Sequence, residues 1–341
     1  MKHILVIRLS AMGDVAMTVP VIRAVVVQHP NVRITVVSRP FFKAFFEGIE
    51  RVNFFAIDLN QRHKGLLGLI RLYKDLKELK VDGFADLHNV IRSKVVRTLF
   101  LFNGKKTAAL DKGRTEKKEL TRFEDKTLRP LKSMHQRYAD VFEELGYPTN
   151  LSLTSFPKRA ILPQQVVELS GQKRGKWIGI APFAQYQSKV YPIDLMQEVI
   201  DRLAVQPNLK VFLFGGGASE IKQLNTLKKN HQNVIVVAGA IAFQHELDLI
   251  SNLDVMLSMD SGNAHIAAMY GIKTLVLFGA THPCLGFMPF RQPLDYALFA
   301  DLEKYPKLPT SVYGNKIIPD YRDAMRSIAP SKVVDAVMAA L

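Results

Sequence analysis

The chain has 341 residues, 48% of them apolar, a formal charge of +15 and a single cysteine, Cys284. That length suits two doubly wound domains better than one, and the apolar share supplies a sizeable core. No apolar run is long enough to span a bilayer, and one cysteine excludes an intrachain disulfide and argues against a cysteine-based zinc site. The positive charge calls for an anionic partner, whether nucleic acid, membrane surface or phosphorylated substrate.

Apolar β-rich runs alternate with amphipathic stretches along the chain. The first run, Ile4–Leu9, reads as a strand rather than a signal peptide, because it is short and Arg8 interrupts it. Together with the lone cysteine this predicts a cytosolic protein. Further strands are predicted at Arg33–Val37, Asn53–Ile57, Gly83–Leu87 and Thr107–Leu110, with helices at Val15–Gln28, Leu66–Lys80 and Ser93–Phe102 between them. A helix at Gln136–Leu145 stops at Gly146-Tyr147-Pro148. Residues 149–175 hold Pro157, Pro163, Gly171 and Gly175 and read as a connector containing a short helix. Alternation resumes at Trp177–Ala181 and runs through strands at Lys210–Phe214, Val234–Val237, Asp254–Ser258 and Thr274–Phe278. Pro330-Ser331 opens a terminal helix. The pattern predicts an α/β protein of two Rossmann-like domains, residues 1–160 and 161–341, whose parallel sheets face a central cleft. The final helix, 331–341, is expected either on its own domain or packed back on the first.

Four strand-to-helix junctions hold the candidate chemistry, since open α/β sheets bind ligands at the carboxyl ends of their strands. Ser10-Ala11-Met12-Gly13-Asp14 follows the first strand. Gly13 permits a tight turn, and Asp14 is either a helix-capping carboxylate or a base that takes a proton from a substrate hydroxyl. Asp260-Ser261-Gly262-Asn263-Ala264-His265 opens a helix whose amides and dipole suit a phosphate. Gly215-Gly216-Gly217 lets backbone approach a ligand, or is merely a loose turn. Lys189 is either solvated or a phosphate contact. Residues 103–137 hold eleven Lys or Arg against five Asp or Glu, with Arg62, Lys64, Arg92 and Lys94 nearby in the chain. That cluster is either a solvated loop or a dock for an anionic acceptor or lipid headgroups. Aromatic residues are not interleaved with it apart from Phe123, which disfavours single-stranded nucleic acid. No metal-ligand spacing, Gly-x-Ser-x-Gly elbow or Walker A sequence occurs.

Taken together, these motifs resemble the ADP-heptose:lipopolysaccharide heptosyltransferases, glycosyltransferase family 9. The resemblance rests on Ile4–Val15, on Asp86-Leu87-His88-Asn89-Val90-Ile91-Arg92-Ser93, on Lys189-Val190-Tyr191-Pro192, on Asp260–Ala268 with Phe278–Pro283, and on Met325–Val333. The chain departs from the family pattern at Asn263-Ala264 and at Ala238–Phe243. The resemblance implies a GT-B fold with the acceptor on the first domain and a nucleotide-sugar on the second. It implies inverting transfer of a sugar, most simply heptose from ADP-heptose, to a lipopolysaccharide-core or related glycan, with no metal or other cofactor. Asp14 is then the general base. Lys189, Ser261 and Gly262 hold the donor phosphates, and Asp260, Asn263, His265, Gly215 and Gly216 shape the donor site. Gly13, Arg62, Lys64 and Arg92 serve an anionic glycolipid acceptor, with peripheral contact at the inner face of the inner membrane and no nucleic-acid partner. A sugar-nucleotide epimerase or hydrolase of the same fold, a non-catalytic binder and a basic nucleic-acid-binding protein are the competing readings.

Overall fold

The computed structural model describes residues 1–316 and 318–341. The chain divides into two compact units, Met1–Gly113 with Lys132–Ser155, and Arg114–Leu131 with Phe156–Leu341.

The first unit runs β1 (Lys2–Ile7), α1 (Met12–Gln28), β2 (Val32–Ser38), β3 (Val52–Ala56), α2 (Gly65–Lys77), β4 (Gly83–Asp86), α3 (Ile91–Phe102) and β5 (Lys106–Ala109). After α4 (Arg114–Leu120), which belongs to the second unit, α5 (Met134–Leu145) returns to it. Its five strands are all parallel, in the order β3-β2-β1-β4-β5. The chain builds outward from β1 in one direction and then restarts at β4, so a crevice opens where β1 and β4 diverge. β1 is apolar on both faces because helices cover both. On one face Leu69, Leu72 and Leu76 of α2 meet Val96 and Phe100 of α3, at the spacing of a helix stripe. α5 is bounded as its sequence signals demand: the Ser133 hydroxyl accepts from Gln136 N, and Gly146 takes the left-handed conformation at φ 101°.

The second unit runs α6 (Gln164–Ser170), β6 (Lys176–Ala181), α7 (Ile193–Ala204), β7 (Leu209–Leu213), α8 (Gly217–Lys228), β8 (Val234–Val236), α9 (Phe243–Ser251), β9 (Val255–Met259), α10 (Gly262–Met269), β10 (Lys273–Phe278), β11 (Ala297–Phe299) and α11 (Pro330–Ala340). Six parallel strands lie in the order β11-β10-β9-β6-β7-β8, with the reversal between β6 and β9. α11 packs against α7, β9 and β10 of its own unit. Val333 and Val337 are buried there, and the Tyr191 hydroxyl donates to Ile328 O just before the helix.

Residues 114–131 depart from a simple division at residue 160. Leu120 and Leu131 bury against Leu285, and Leu131 N donates to Cys284 O at 2.9 Å. Apolar burial thus ties this segment to the second unit although it interrupts the first in sequence.

Candidate functional site

In the first unit the site is built at the β1/β4 crevice. Gly13 and Asp14 lie in the first turn of α1, behind an N-cap at Ala11. Ala11 has no side chain to accept from the first-turn amides, and Asp14 makes only the return half of a capping box: Ala11 N donates to its Oδ2 at 3.2 Å. The same oxygen lies 2.7 Å from Arg8 Nη2. Asp14 is therefore a capping carboxylate, held through Oδ2. Arg8 is buried and pinned, donating from Nη1 to Leu87 O at 2.7 Å with its guanidinium 5.9 Å from the Tyr138 ring centre.

The turn after β4 completes this edge. Buried Asp86 accepts from His88 N at 3.1 Å and Asn89 N at 2.6 Å, and Arg97 stands 3.5 Å from its other oxygen. Burial pulls His88 down to about 3, assisted by the charges of Arg8, Lys112 and Arg39 and opposed by Asp14. The ring is neutral at pH 7, accepts from Leu9 N at Nδ1 and so carries its proton on Nε2. Arg92 is exposed in the first turn of α3, and Lys64 is exposed at the N-cap of α2. Arg62 instead closes on Asp75 with two bonds of 2.7 and 2.6 Å, so an acceptor would have to compete for it.

In the second unit the site flanks the β6/β9 crevice. Lys189, in the segment after β6, places Nζ 2.8 Å from Asp260 Oδ2, and Thr281 Oγ1 donates to the same oxygen at 2.7 Å. Lys189 is thus a held cation and not a solvated one. Burial alone would raise Asp260, but the charge and hydrogen bond of Lys189, the Thr281 hydroxyl and His265 together hold it below its ordinary value. Ser261 is the N-cap of α10 and makes no side-chain cap bond; its hydroxyl lies 3.2 Å from Ser258 Oγ. Gly262 and Asn263 form the first helical turn, so this helix start offers backbone amides and the positive dipole end to an anion. His265 is buried on the same helix.

Gly215 and Gly216 form the β7–α8 turn, where Gly216 N donates to Glu220 Oε2 at 2.7 Å. A cavity of about 780 Å³ opens beside them, lined also by Phe183, Pro192 and Arg322. A neighbouring cavity of about 380 Å³ takes in Gln187, Ser188, Thr310, Lys316 and Arg322. Both volumes lie in the range of small-molecule sites.

Several contributors escape a motif search. The segment 310–316 wraps Lys189: Thr310 N and Ser311 N donate to Ala280 O, Ser188 Oγ donates to Gly314 O, and Gly314 sits at φ 85°. A Cβ on Gly314 would lie 2.4 Å from Lys189 Cδ, so only glycine fits. No sequence spacing links residues 310–316 to Lys189. Apart from this site, Glu246 in the first turn of α9 is pushed up to about 7 by burial. Arg8 had a signal, a cation ending an apolar strand, but it reads as an interruption until its partner is seen.

The basic run resolves into separate roles. Lys117 is buried with Nζ 4.2 Å from the Phe287 ring centre, and Lys126 Nζ donates to Lys307 O and Pro309 O. Arg137 pairs with Asp111 and Lys132 with Asp140. Much of this charge is therefore committed within the protein. Among the described residues no group of three or more His, Cys, Asp or Glu side chains is arranged to hold a metal ion.

The model of glycosyltransferase family 9 (heptosyltransferase) matches residues 69–311. A lipopolysaccharide core heptosyltransferase, OpsX, of Haemophilus influenzae is 23% identical over 313 residues, which are 89% of this chain and 83% of that protein. The structure of a family 9 glycosyl transferase from Veillonella parvula is similar with a TM-score of 0.75 at 19% identity, covering 99% of this chain and 97% of that one. That of E. coli ADP-heptose lps heptosyltransferase II is similar with a TM-score of 0.69 at 21% identity, covering 100% and 98%. These likenesses show the fold to be GT-B, with its two Rossmann-like sheets.

Proposed function

The chain belongs to glycosyltransferase family 9, the heptosyltransferases, and from that premise we propose that it moves heptose from ADP-heptose onto a lipopolysaccharide-core or related cell-surface glycan. The observation that carries the reading is the pair of held charges at the two sheet edges: Asp14 fixed through Oδ2 by Arg8, and Lys189 fixed by Asp260. The names of the similar proteins, a lipopolysaccharide core heptosyltransferase and an ADP-heptose lps heptosyltransferase, support the same donor and acceptor class.

Asp14 Oδ1 takes the proton of the acceptor hydroxyl as that oxygen attacks the anomeric carbon. The bond from the anomeric carbon to the phosphate oxygen breaks, and ADP leaves with the electron pair. Attack opposite the leaving group inverts the anomeric centre. Lys189 and the amides at the start of α10 stabilise the charge that grows on the diphosphate, which is the work a metal does elsewhere, so the reaction needs no metal. The cavity beside Gly216 takes the nucleoside, and Lys64 and Arg92 face an anionic glycolipid. The enzyme works in the cytoplasm, peripherally at the inner face of the inner membrane.

Calorimetry with ADP, UDP, GDP and CDP in chelator, followed by transfer assays with ADP-heptose, tests this. Selective ADP binding and acceptor-dependent release of ADP are expected. Preference for another nucleotide would overturn the donor, and donor consumption without acceptor would overturn transfer in favour of hydrolysis or epimerisation.

A further inference from the structure

The first turns of α2 and α3 expose large apolar side chains beside cations, and the proposed chemistry does not use the apolar ones. Both helices follow one parallel strand and lead to the next, so both begin at the carboxyl edge of the first sheet, the edge that holds Asp14. They also pack together on one face of that sheet, where the Tyr73 and Phe100 rings meet edge to face at 5.1 Å. At that edge Leu66 is 68%, Leu67 70%, Ile70 40% and Ile91 81% exposed. Lys64, Arg71, Arg92 and Lys94 are exposed around them. Cations outnumber carboxylates here: Asp75 is taken up by Arg62, and Asp86 is buried.

We propose that this rim, Leu66, Leu67, Ile70 and Ile91 with their surrounding cations, is the surface by which the protein rests on an anionic lipid bilayer. The inference builds on the peripheral placement proposed above and names the face responsible. Side chains of this size enter the boundary between headgroups and acyl chains, while lysine and arginine stems reach back to the phosphates. Each cation near an anionic surface adds to the attraction. The charge also selects the occupant. A second copy docked through the same patch would set one cation-rich cluster against another, with only Asp58 and Asp75 nearby and Asp75 already taken by Arg62, since a two-fold interface repeats the same surface. Nucleic acid would want stacking aromatics, and the exposed apolar residues here are aliphatic. Asp14 lies at the same sheet edge, so a glycolipid hydroxyl lifted slightly from the bilayer would meet the base.

The test is flotation of the full chain with phosphatidylcholine vesicles, with and without phosphatidylglycerol, over a salt series. Wild type is expected to float with the anionic vesicles and to be released by salt. The variant Leu66→Ser/Leu67→Ser/Ile91→Ser is expected to lose about tenfold or more in bound fraction, with unchanged melting temperature and unchanged transfer to a delipidated acceptor. Arg71→Glu/Lys94→Glu is expected to weaken binding to the anionic vesicles alone. A triple variant that floats like wild type would overturn this surface while leaving membrane contact standing. A wild type that ignores both vesicles overturns the contact itself, and a dimer in sedimentation that the triple variant abolishes would reassign the patch to self-association. Transfer to the delipidated acceptor is read separately, so loss of the enzymatic reading and loss of the lipid surface are told apart.

Discussion

At the β1/β4 crevice the hidden partner is the cation: the Arg8 side chain is 7% exposed and that of Asp14 27%. At the β6/β9 crevice both partners are nearly closed off, Lys189 at 14% and Asp260 at 10%, and here the carboxylate is anchored by a third group, Thr281. The two sheets share a topology and each places an ion pair where the strand order reverses. They differ in how far the pair is closed: at the first edge Asp14 is the more open member, and at the second Lys189 and Asp260 are both held. One topology thus sets an ion pair at each edge, with the anion open in one and both partners nearly closed in the other.

The sharpest way to break that comparison is at Asp14 and Lys189. Asp14→Asn is expected to lower kcat by roughly 10²–10⁴-fold while leaving ADP affinity in calorimetry unchanged; full activity would remove Asp14 from the chemistry. Lys189→Ala is expected to weaken ADP binding by roughly 10–100-fold, as loss of a charged hydrogen bond does. It also strands a buried carboxylate, so denaturant melts should show a loss of about 3 kcal/mol. Adding Asp260→Asn should recover much of that stability and none of the affinity. Recovery of both would mean that Lys189 serves the fold alone.

The hidden partner of Asp14 gives a smaller effect. Arg8→Gln is expected to lower kcat by roughly 10-fold, a cost in line with a slightly misplaced catalytic group, with KM for the donor unchanged. An equal rise in KM would mean that Arg8 supports the whole unit rather than orienting Asp14.

The smallest effect concerns Glu246. Its carboxyl is raised to about 7 by burial, so the folded state holds its proton at pH values where the unfolded chain has released it. Its contribution to stability is complete below pH 4 and is lost as pH rises through 7. Glu246→Gln should melt like wild type at pH 4 and a few degrees higher at pH 8. Parallel melting curves across that range would show the carboxyl to be solvated.

The strands and helices that line both crevices were legible because their apolar periods are local, and the stop of α5 at Gly146 was visible too, whereas its cap at Ser133 lies ahead of the apolar period that marked the start at Gln136. Asp14, Lys189 and Asp260 were legible as candidates because they stand at strand ends. Their partners were not, because Arg8 reads as a break in a strand and Thr281 as part of a turn until the sheet brings them to the carboxylates. The wrap of residues 310–316 over Lys189 was hidden for the same reason, with more than a hundred residues between them. Charge counting overstated the basic run, since it could not see Lys117 against Phe287 or Lys126 bonded to carbonyls.

The excursion of residues 114–131 into the second unit has a consequence during synthesis. Leu120 and Leu131 emerge from the ribosome long before Leu285, the side chain that covers them. At about 5–20 residues per second, the segment waits on the order of ten seconds with its leucines bare, while the first unit around it already has every strand of its sheet. Translation speed over that interval, and chaperones that shield short apolar stretches, therefore bear on the yield of active protein. A chain cut at residue 155 keeps all five strands of the first sheet but leaves those two leucines with nothing to meet.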